Sequence, residues 1–176
     1  MDEQWPVIEA VTEYETGWYR GGYDLVEQPD DTIKRYYWAS LPAAVVIVAI
    51  DGDDVLFVEQ YRPTVRQHHL ELPAGIVEDG EDYVEAGRRE LQEETGFEAD
   101  SLSLIQTYHV ATGVLRHERG IVVASELTPG VSDRDQNEFL TVTRVPRAEA
   151  IDIARTEPAN DASISGLLLA AADGYL

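Results

Sequence analysis

The chain has 176 residues, no cysteine, and 34 acidic against 13 basic residues, a formal net charge of −21. That length suits one domain or a domain with a small addition, and the missing cysteines exclude disulfides, thiolate catalysis and Cys-ligated zinc. So negative a field argues against nucleic acid as a partner, and no apolar run reaches the ~20 residues of a membrane helix. The acidic start, MDEQWPVIEA, lacks the basic-then-apolar order of a signal peptide, so a cytoplasmic protein is expected. The acids are spread through folded-looking segments and read as a solvated acidic surface of the kind found in proteins of salt-loving organisms.

In chain order, residues 1–40 form an aromatic, β-prone segment in which GWYRGGYDL suggests a Gly-Gly turn between strands. Residues 41–176 are expected to form the main domain. AAVVIVAI (43–50) is a buried strand, DGDD (51–54) a turn and VLFVEQYR (55–62) a second strand, together a hairpin. HLELPAG (69–75) is a short strand that ends in a loop. A helix is predicted over Tyr83–Thr95, with Asp82 as N-cap, Glu85 completing a capping box and Gly96 just past the end. LSLIQTYHV (102–110), GIVVASEL (120–127) and FLTVTRV (139–145) read as strands around the polar loop PGVSDRDQNE. PRAEAIDIART (146–156) places Pro at a helix start. Asn160 or Asp161 caps a last helix whose Ile164, Leu167, Leu168 and Ala171 mark its core stripe. This order suggests a mixed sheet with helices packed on it, an α/β (α+β) fold.

Six glutamates fall within Gly75–Phe97, and Glu90, Glu93 and Glu94 share little more than one turn. Residues three and four apart lie on one face of a helix, so these carboxylates project together and repel one another unless a cation intervenes. Hard oxygen ligands favour Mg²⁺ or Mn²⁺, and Mg²⁺ completes its shell with water and substrate phosphate. In so acidic a chain, a solvated acidic face is the competing reading.

The spacing goes further. Gly75, five residues, Glu81, seven residues, Arg89-Glu90-Leu91, one residue, Glu93-Glu94, one residue, Gly96-Phe97 resembles the Nudix box, the signature of the Nudix hydrolases, at every defined position. The resemblance implies a loop–helix–loop in an α/β/α sandwich with a mixed β-sheet, and hydrolysis of a nucleoside diphosphate linked to a second group. It implies that Glu90 and Glu94 bind metal, with the Ala74 carbonyl completing the shell and Glu93 as helper. Glu81 and Arg89 brace the motif, with Arg89 counted among the catalytic set. Gly75 and Gly96 would be backbone requirements of the loop and the helix end.

VEQYRP followed by LELPAG resembles the ADP-ribose pyrophosphatase branch, a similarity that runs from about Trp18 to the C-terminus and is weak before Ala43. It implies ADP-ribose as substrate, AMP and ribose 5-phosphate as products, and a homodimer whose exchanged N-terminal strands help bind the nucleotide. The branch keeps its general base on a loop after the box; DRDQNE is the match here, with Glu138 preferred over Asp135 and Asp133. Arg62 is the candidate phosphate contact, Glu71 its neighbour in the site, and Tyr23 the candidate adenine platform, with Tyr19 and Trp18 as alternatives. Where the branch has a Ser-Pro-Gly-like turn, this chain has Thr112-Gly113, which leaves other nucleotide substrates as the alternative reading. A silent ADP-ribose-binding module is the rival from another class. The histidines 68, 69, 109 and 117 do not stand at metal-ligand spacing and read as structural or solvated.

Overall fold

The computed structural model describes residues 4–130 and 139–176. The chain runs through β1 (Val7–Glu15), β2 (Arg20–Glu27), β3 (Ile33–Ser40), β4 (Ala44–Asp51), β5 (Asp54–Arg62), β6 (Gln67–Glu71), β7 (Ala74–Ile76), α1 (Tyr83–Thr95), β8 (Phe97–His109), β9 (Leu115–Arg116), β10 (Glu118–Pro129), β11 (Leu140–Pro146), α2 (Ala150–Ala154) and α3 (Asp161–Ala172). Two compact units emerge. One comprises the chain up to Ala43 with Tyr108–Glu118, the other Ala44–Thr107 with Arg119–Leu176.

The first unit is a sheet in the order β1-β2-β3-β9. The reversal between β1 and β2 falls at residues 16–19, where the Thr16 hydroxyl accepts from the backbone N–H groups of Trp18 and Tyr19. The expected Gly-Gly turn is therefore corrected: Gly21 and Gly22 lie within β2, opposite Tyr14 and Thr12, at a register shift of β1. A Cβ on Gly22 would come 1.9 Å from the Val11 carbonyl oxygen, and one on Gly21 would enter the Tyr14 ring. Close approach of neighbouring chain, not turn geometry, is what these two glycines allow.

The second unit holds a sheet in the order β11-β5-β4-β10-β8, with β6 on β5 and β7 on β4. Strand β4 lies parallel to β10 from Ala44↔Arg119 to Ala49↔Ala124 and is fully buried over Val45–Ile50. Its apolar run is continuous because helices cover both faces. Successive side chains alternate sides. Val45, Ile47 and Ala49 share a core with Ala86 and Leu91 of α1, while Val46 and Val48 meet Gly166 of α3. Leu91 is wholly buried, which contributes ~2 kcal/mol. The unit is the expected α/β/α sandwich on a mixed sheet.

Three expectations change. The β4–β5 hairpin pairs only at Ile50↔Val55 and Asp51↔Asp54; beyond the turn β4 goes to β7 and β10, and β5 to β6 and β11. Pro146 does not open a helix; it ends β11, an edge strand where its missing N–H costs nothing, and α2 starts at Ala150. On α3 the buried residues are Ser163, Gly166, Leu167 and Ala170, whereas Leu168 is half exposed. Small side chains let this helix approach the sheet closely, so its packed stripe is not its most apolar one.

Candidate active site

Helix α1 starts where local chemistry puts it. The Asp82 carboxylate accepts from the N–H groups of Val84 and Glu85, and Glu85 accepts from the Asp82 N–H at 2.9 Å, a complete capping box. Gly96 ends the helix in the left-handed region at φ 74°. Between these ends, Ala86, Gly87 and Leu91 face the sheet, and Gly87 lets the helix close onto Val122. That placement turns Glu90 and Glu94 inward against β7, where they are 9% and 6% exposed.

The strand receives both carboxylates. Glu94 Oε2 accepts from the Ala74 N–H at 3.0 Å. Glu90 lies over Gly75, where a Cβ would stand 1.9 Å from its carboxyl carbon. Gly75 is thus required for the space above its Cα, and not for a special backbone angle. Arg89 locks the surroundings. It forks onto Glu81 with two bonds of 2.9 Å, reaches Glu90 at 2.8 Å and Glu93 at 3.1 Å, and donates to the Ile76 carbonyl at 2.9 Å. Its fork is spent on the chain's own groups, the arrangement of a bracing residue. These carboxylates hold the Arg89 guanidinium above its ordinary pKa, and Arg89 in turn holds the Glu81 carboxyl below the usual carboxylate range.

Arg62 ends β5 and Glu71 ends β6, two antiparallel strands in which Arg62 pairs with Gln67 and Glu71 with Val58. Arg62 Nε and Nη2 bond Glu71 at 3.0 and 2.8 Å, and this pairing raises the Arg62 pKa, with a smaller contribution from Glu94. Glu71 is buried; the Arg62 side chain is 43% exposed. Glu71, Glu81, Glu90 and Glu93 thus bond to two guanidiniums, Arg62 and Arg89, in and around a partly buried site. Among the described residues no three acid or imidazole side chains converge into a ready-made metal cage. Two buried carboxylates seated against Ala74 and Gly75 offer hard oxygen donors, which suit Mg²⁺, an ion that keeps waters and takes substrate phosphate as ligand. The residues present therefore fit a divalent cation.

A model of the NUDIX domain matches residues 40–166 of this chain. The chain belongs to the Nudix family. It is 31% identical over 141 residues to the ADP compounds hydrolase NudE of Escherichia coli (strain K12), over 78% of this chain and 76% of that one. It is 29% identical over 140 residues to the ADP-ribose pyrophosphatase of Bacillus subtilis (strain 168), again over 78% and 76%. A crystal structure of ADP compounds hydrolase superposes with a TM-score of 0.88 at 25% identity, over 99% of this chain and 98% of that one. The chain is thus a Nudix pyrophosphohydrolase by family and by its relatives.

Not every residue singled out from the sequence is brought together. Ala74, Glu90, Glu93, Glu94 and Arg89 form one cluster, and Arg62 with Glu71 adjoins it through Glu94. Tyr23 belongs to the first unit, where its ring meets Tyr37 edge-on at 5.7 Å and lies under Arg35 at 4.8 Å. Glu138, Asp135 and Asp133 lie outside the described residues. Sequence reasoning missed Ser163, whose buried hydroxyl accepts from the Leu72 N–H at 2.9 Å and so fastens α3 beside Glu71. It also missed that His69 shares the buried face of β6 with Glu71. The two-residue spacing within HLE was the available signal.

Proposed function

We propose that this Nudix hydrolase cleaves the diphosphate linkage of a nucleoside diphosphate sugar, with ADP-ribose as substrate and AMP and ribose 5-phosphate as products. The observation that carries this reading is the buried pair Glu90 and Glu94, seated on Ala74 and Gly75. Nudix hydrolases in general use divalent metals, and Ala74, Glu90 and Glu94 would hold Mg²⁺ or Mn²⁺ here. Such an ion neutralises the diphosphate and lowers the pKa of water. Arg89 keeps the Glu90 and Glu93 carboxylates in place. Glu71 fixes the Arg62 guanidinium by its Nε edge and leaves Nη1 free of hydrogen bonds among the described residues, available to a phosphate oxygen. Glu138 removes the proton of the attacking water; its oxygen bonds to one phosphorus as the bridging P–O bond breaks, and the departing phosphate takes up the electron pair.

The names of the relatives support the substrate, both being enzymes of ADP compounds. The first unit supports a homodimer: Val7, Ile8, Trp18, Ile33 and Tyr37 are each about half exposed or more on its sheet and the adjoining turn, apolar surface that a second copy would cover. Thr112 favours a second reading, the same chemistry on another nucleotide sugar. Product analysis over ADP-ribose, ADP-glucose, GDP-mannose, NADH, diadenosine polyphosphates and 8-oxo-dGTP, in high KCl with Mg²⁺, separates the two. AMP with ribose 5-phosphate from ADP-ribose supports the first; turnover confined to another compound of the panel supports the second.

A further inference from the structure

Strand β6 pairs with β5 as far as Glu71, and β7 joins β4 at Ala74. The chain crosses between these partners at Leu72 and Pro73, where no strand pairing among the described residues holds it. Three elements take over. The Leu72 N–H donates to the Ser163 hydroxyl of α3 at 2.9 Å, the Pro73 carbonyl accepts from the Ile47 N–H of β4 at 2.8 Å, and the Ala74 N–H donates to Glu94 of α1 at 3.0 Å. Three consecutive residues thus tie α3, β4 and α1 together, and the last tie is to a carboxylate of the candidate metal site.

The tie to α3 grips Leu72 by its backbone and by its side chain. The Ser163 N–H is spent on the Asn160 cap at 2.8 Å, which fixes the first turn of α3 and with it the hydroxyl. Nearly one turn on, Gly166 brings the helix against the leucine: a Cβ there would lie 3.1 Å from Leu72 Cδ1, where ordinary contact begins at 3.4 Å. Both Leu72 and Ser163 are buried, so neither shifts without the other. The link onward to Ala74 is stiff. Pro73 has a fixed φ, and the residue before a proline is confined to extended backbone. A displacement of the Leu72 amide is therefore passed to the Ala74 amide and not absorbed between them.

We propose that α3 sets the affinity of the site for its divalent ion, with Ser163 and Gly166 as positioning residues that act through Leu72 on Ala74 and Glu94. The proposal rests on the reading of Glu90 and Glu94 as metal ligands. The coupling runs both ways: an ion that fixes Glu94 against Ala74 also steadies the first turn of α3.

Mn²⁺ binding to metal-free protein tests this, with free Mn²⁺ measured by electron spin resonance in molar KCl, which screens the acidic surface. The site followed is the one that Glu94→Gln weakens. Ser163→Ala removes the acceptor for Leu72. Gly166→Ala keeps every hydrogen bond but presses on the Leu72 side chain. Val145→Ala opens a cavity at a buried position of β11 and removes none of the three ties. The dissociation constant for Mn²⁺ is expected to rise about tenfold in Ser163→Ala and about threefold in Gly166→Ala, and to stay unchanged in Val145→Ala. Tm should fall in Ser163→Ala and in Val145→Ala but not in Gly166→Ala, where the helix preference of alanine offsets the crowding. Affinity and stability then part company, which a merely structural role for α3 would not produce. Amide exchange at Leu72 and in the first turn of α3 should slow when Mn²⁺ is added to the unaltered chain, and less so in Ser163→Ala. Unchanged dissociation constants in both α3 variants, or an equal rise in Val145→Ala, overturn the proposal. If Ser163→Ala does not fold, Gly166→Ala decides: weaker binding supports the proposal and unchanged binding overturns it. If Glu94→Gln binds Mn²⁺ as the unaltered chain does, the metal reading is what fails, and the proposal falls with it.

Discussion

Replacing Gly75 by alanine adds one methyl group, and the structure says where it goes. The new Cβ would stand 1.9 Å from the Glu90 carboxyl carbon and from Oε1, where ordinary contact begins at 3.4 Å. Gly75 is not among the positive-φ residues, so alanine meets no backbone penalty there. The carboxylate must instead move by roughly 1.5 Å, the gap between those two distances. It cannot move freely, being 9% exposed and bonded to Arg89 at 2.8 Å. Overpacking of this kind costs about 1–3 kcal/mol of stability, and displacement of a reacting-site ligand by about 1 Å costs about 100-fold in rate. Steady-state hydrolysis of ADP-ribose, with Tm alongside, is the assay. Gly52→Ala is the contrast, because its φ of 61° is strained while nothing lies within 4 Å of the added Cβ. It is expected to lose about 1 kcal/mol and no activity. In a Glu90→Ala background the space is vacated, and Gly75→Ala should then add no further destabilisation. Gly75→Ala with more than a third of normal activity, or with additive stability losses, would refute the steric account.

Arg89→Lys keeps the charge but loses the fork that holds Glu81, Glu90 and Glu93; a loss of about 2 kcal/mol in urea unfolding is expected, and a neutral result would show that Arg89 does not brace the site. The Glu81–Arg89 contribution has a definite pH window. The Glu81 carboxyl is held below its ordinary value of 4.5 when folded, so its stabilisation is complete above that pH and is lost as pH falls through the lowered value. Glu81→Gln should therefore flatten the acid limb of a Tm-against-pH curve, and an unaltered acid limb would contradict the ion pair. Ser163→Ala leaves the buried Leu72 N–H without an acceptor and is expected to cost about 2 kcal/mol; a cost under 0.5 kcal/mol on chemical unfolding would sink that assignment. Finally, self-repulsion at a net charge of −21 is screened by salt, so Tm should rise by about 5 °C or more between dilute buffer and molar KCl, and a flat curve would remove self-repulsion as a destabilising factor.

Helix α1 was legible to the residue, because its ends are written in local chemistry: Asp82, Glu85 and Gly96 act within one turn of themselves. The box carboxylates were legible for the same reason, their spacing being a helical one. Strand partners were not. The run 43–50 identifies a buried strand, yet nothing within it says that β10, some seventy residues on, lies parallel along one side of it, or that β7 shares the other side with β5. Gly21 and Gly22 look like a turn until Tyr14 and Val11 are seen pressed against them. The packed face of α3 was misread because apolarity was weighed and size was not: Gly166 and Ser163 are buried, while Leu168 is half exposed. His69 could be placed on the face of Glu71 by strand alternation, but the bond from the Leu72 N–H to Ser163, 91 positions on, could not be read from the sequence.

The central claim is that Glu90 and Glu94 hold the divalent ion on which diphosphate cleavage depends. Its most direct test is AMP release from ADP-ribose as Mg²⁺ or Mn²⁺ is titrated into metal-free protein, for the unaltered chain and for Glu94→Gln. The glutamine keeps an oxygen for the Ala74 N–H and removes the charge, so folding is preserved. The account predicts no AMP without metal, a saturating rise with it, and at least a 100-fold loss in Glu94→Gln. Equal rates in chelator and in metal, or a fully active Glu94→Gln, would contradict it.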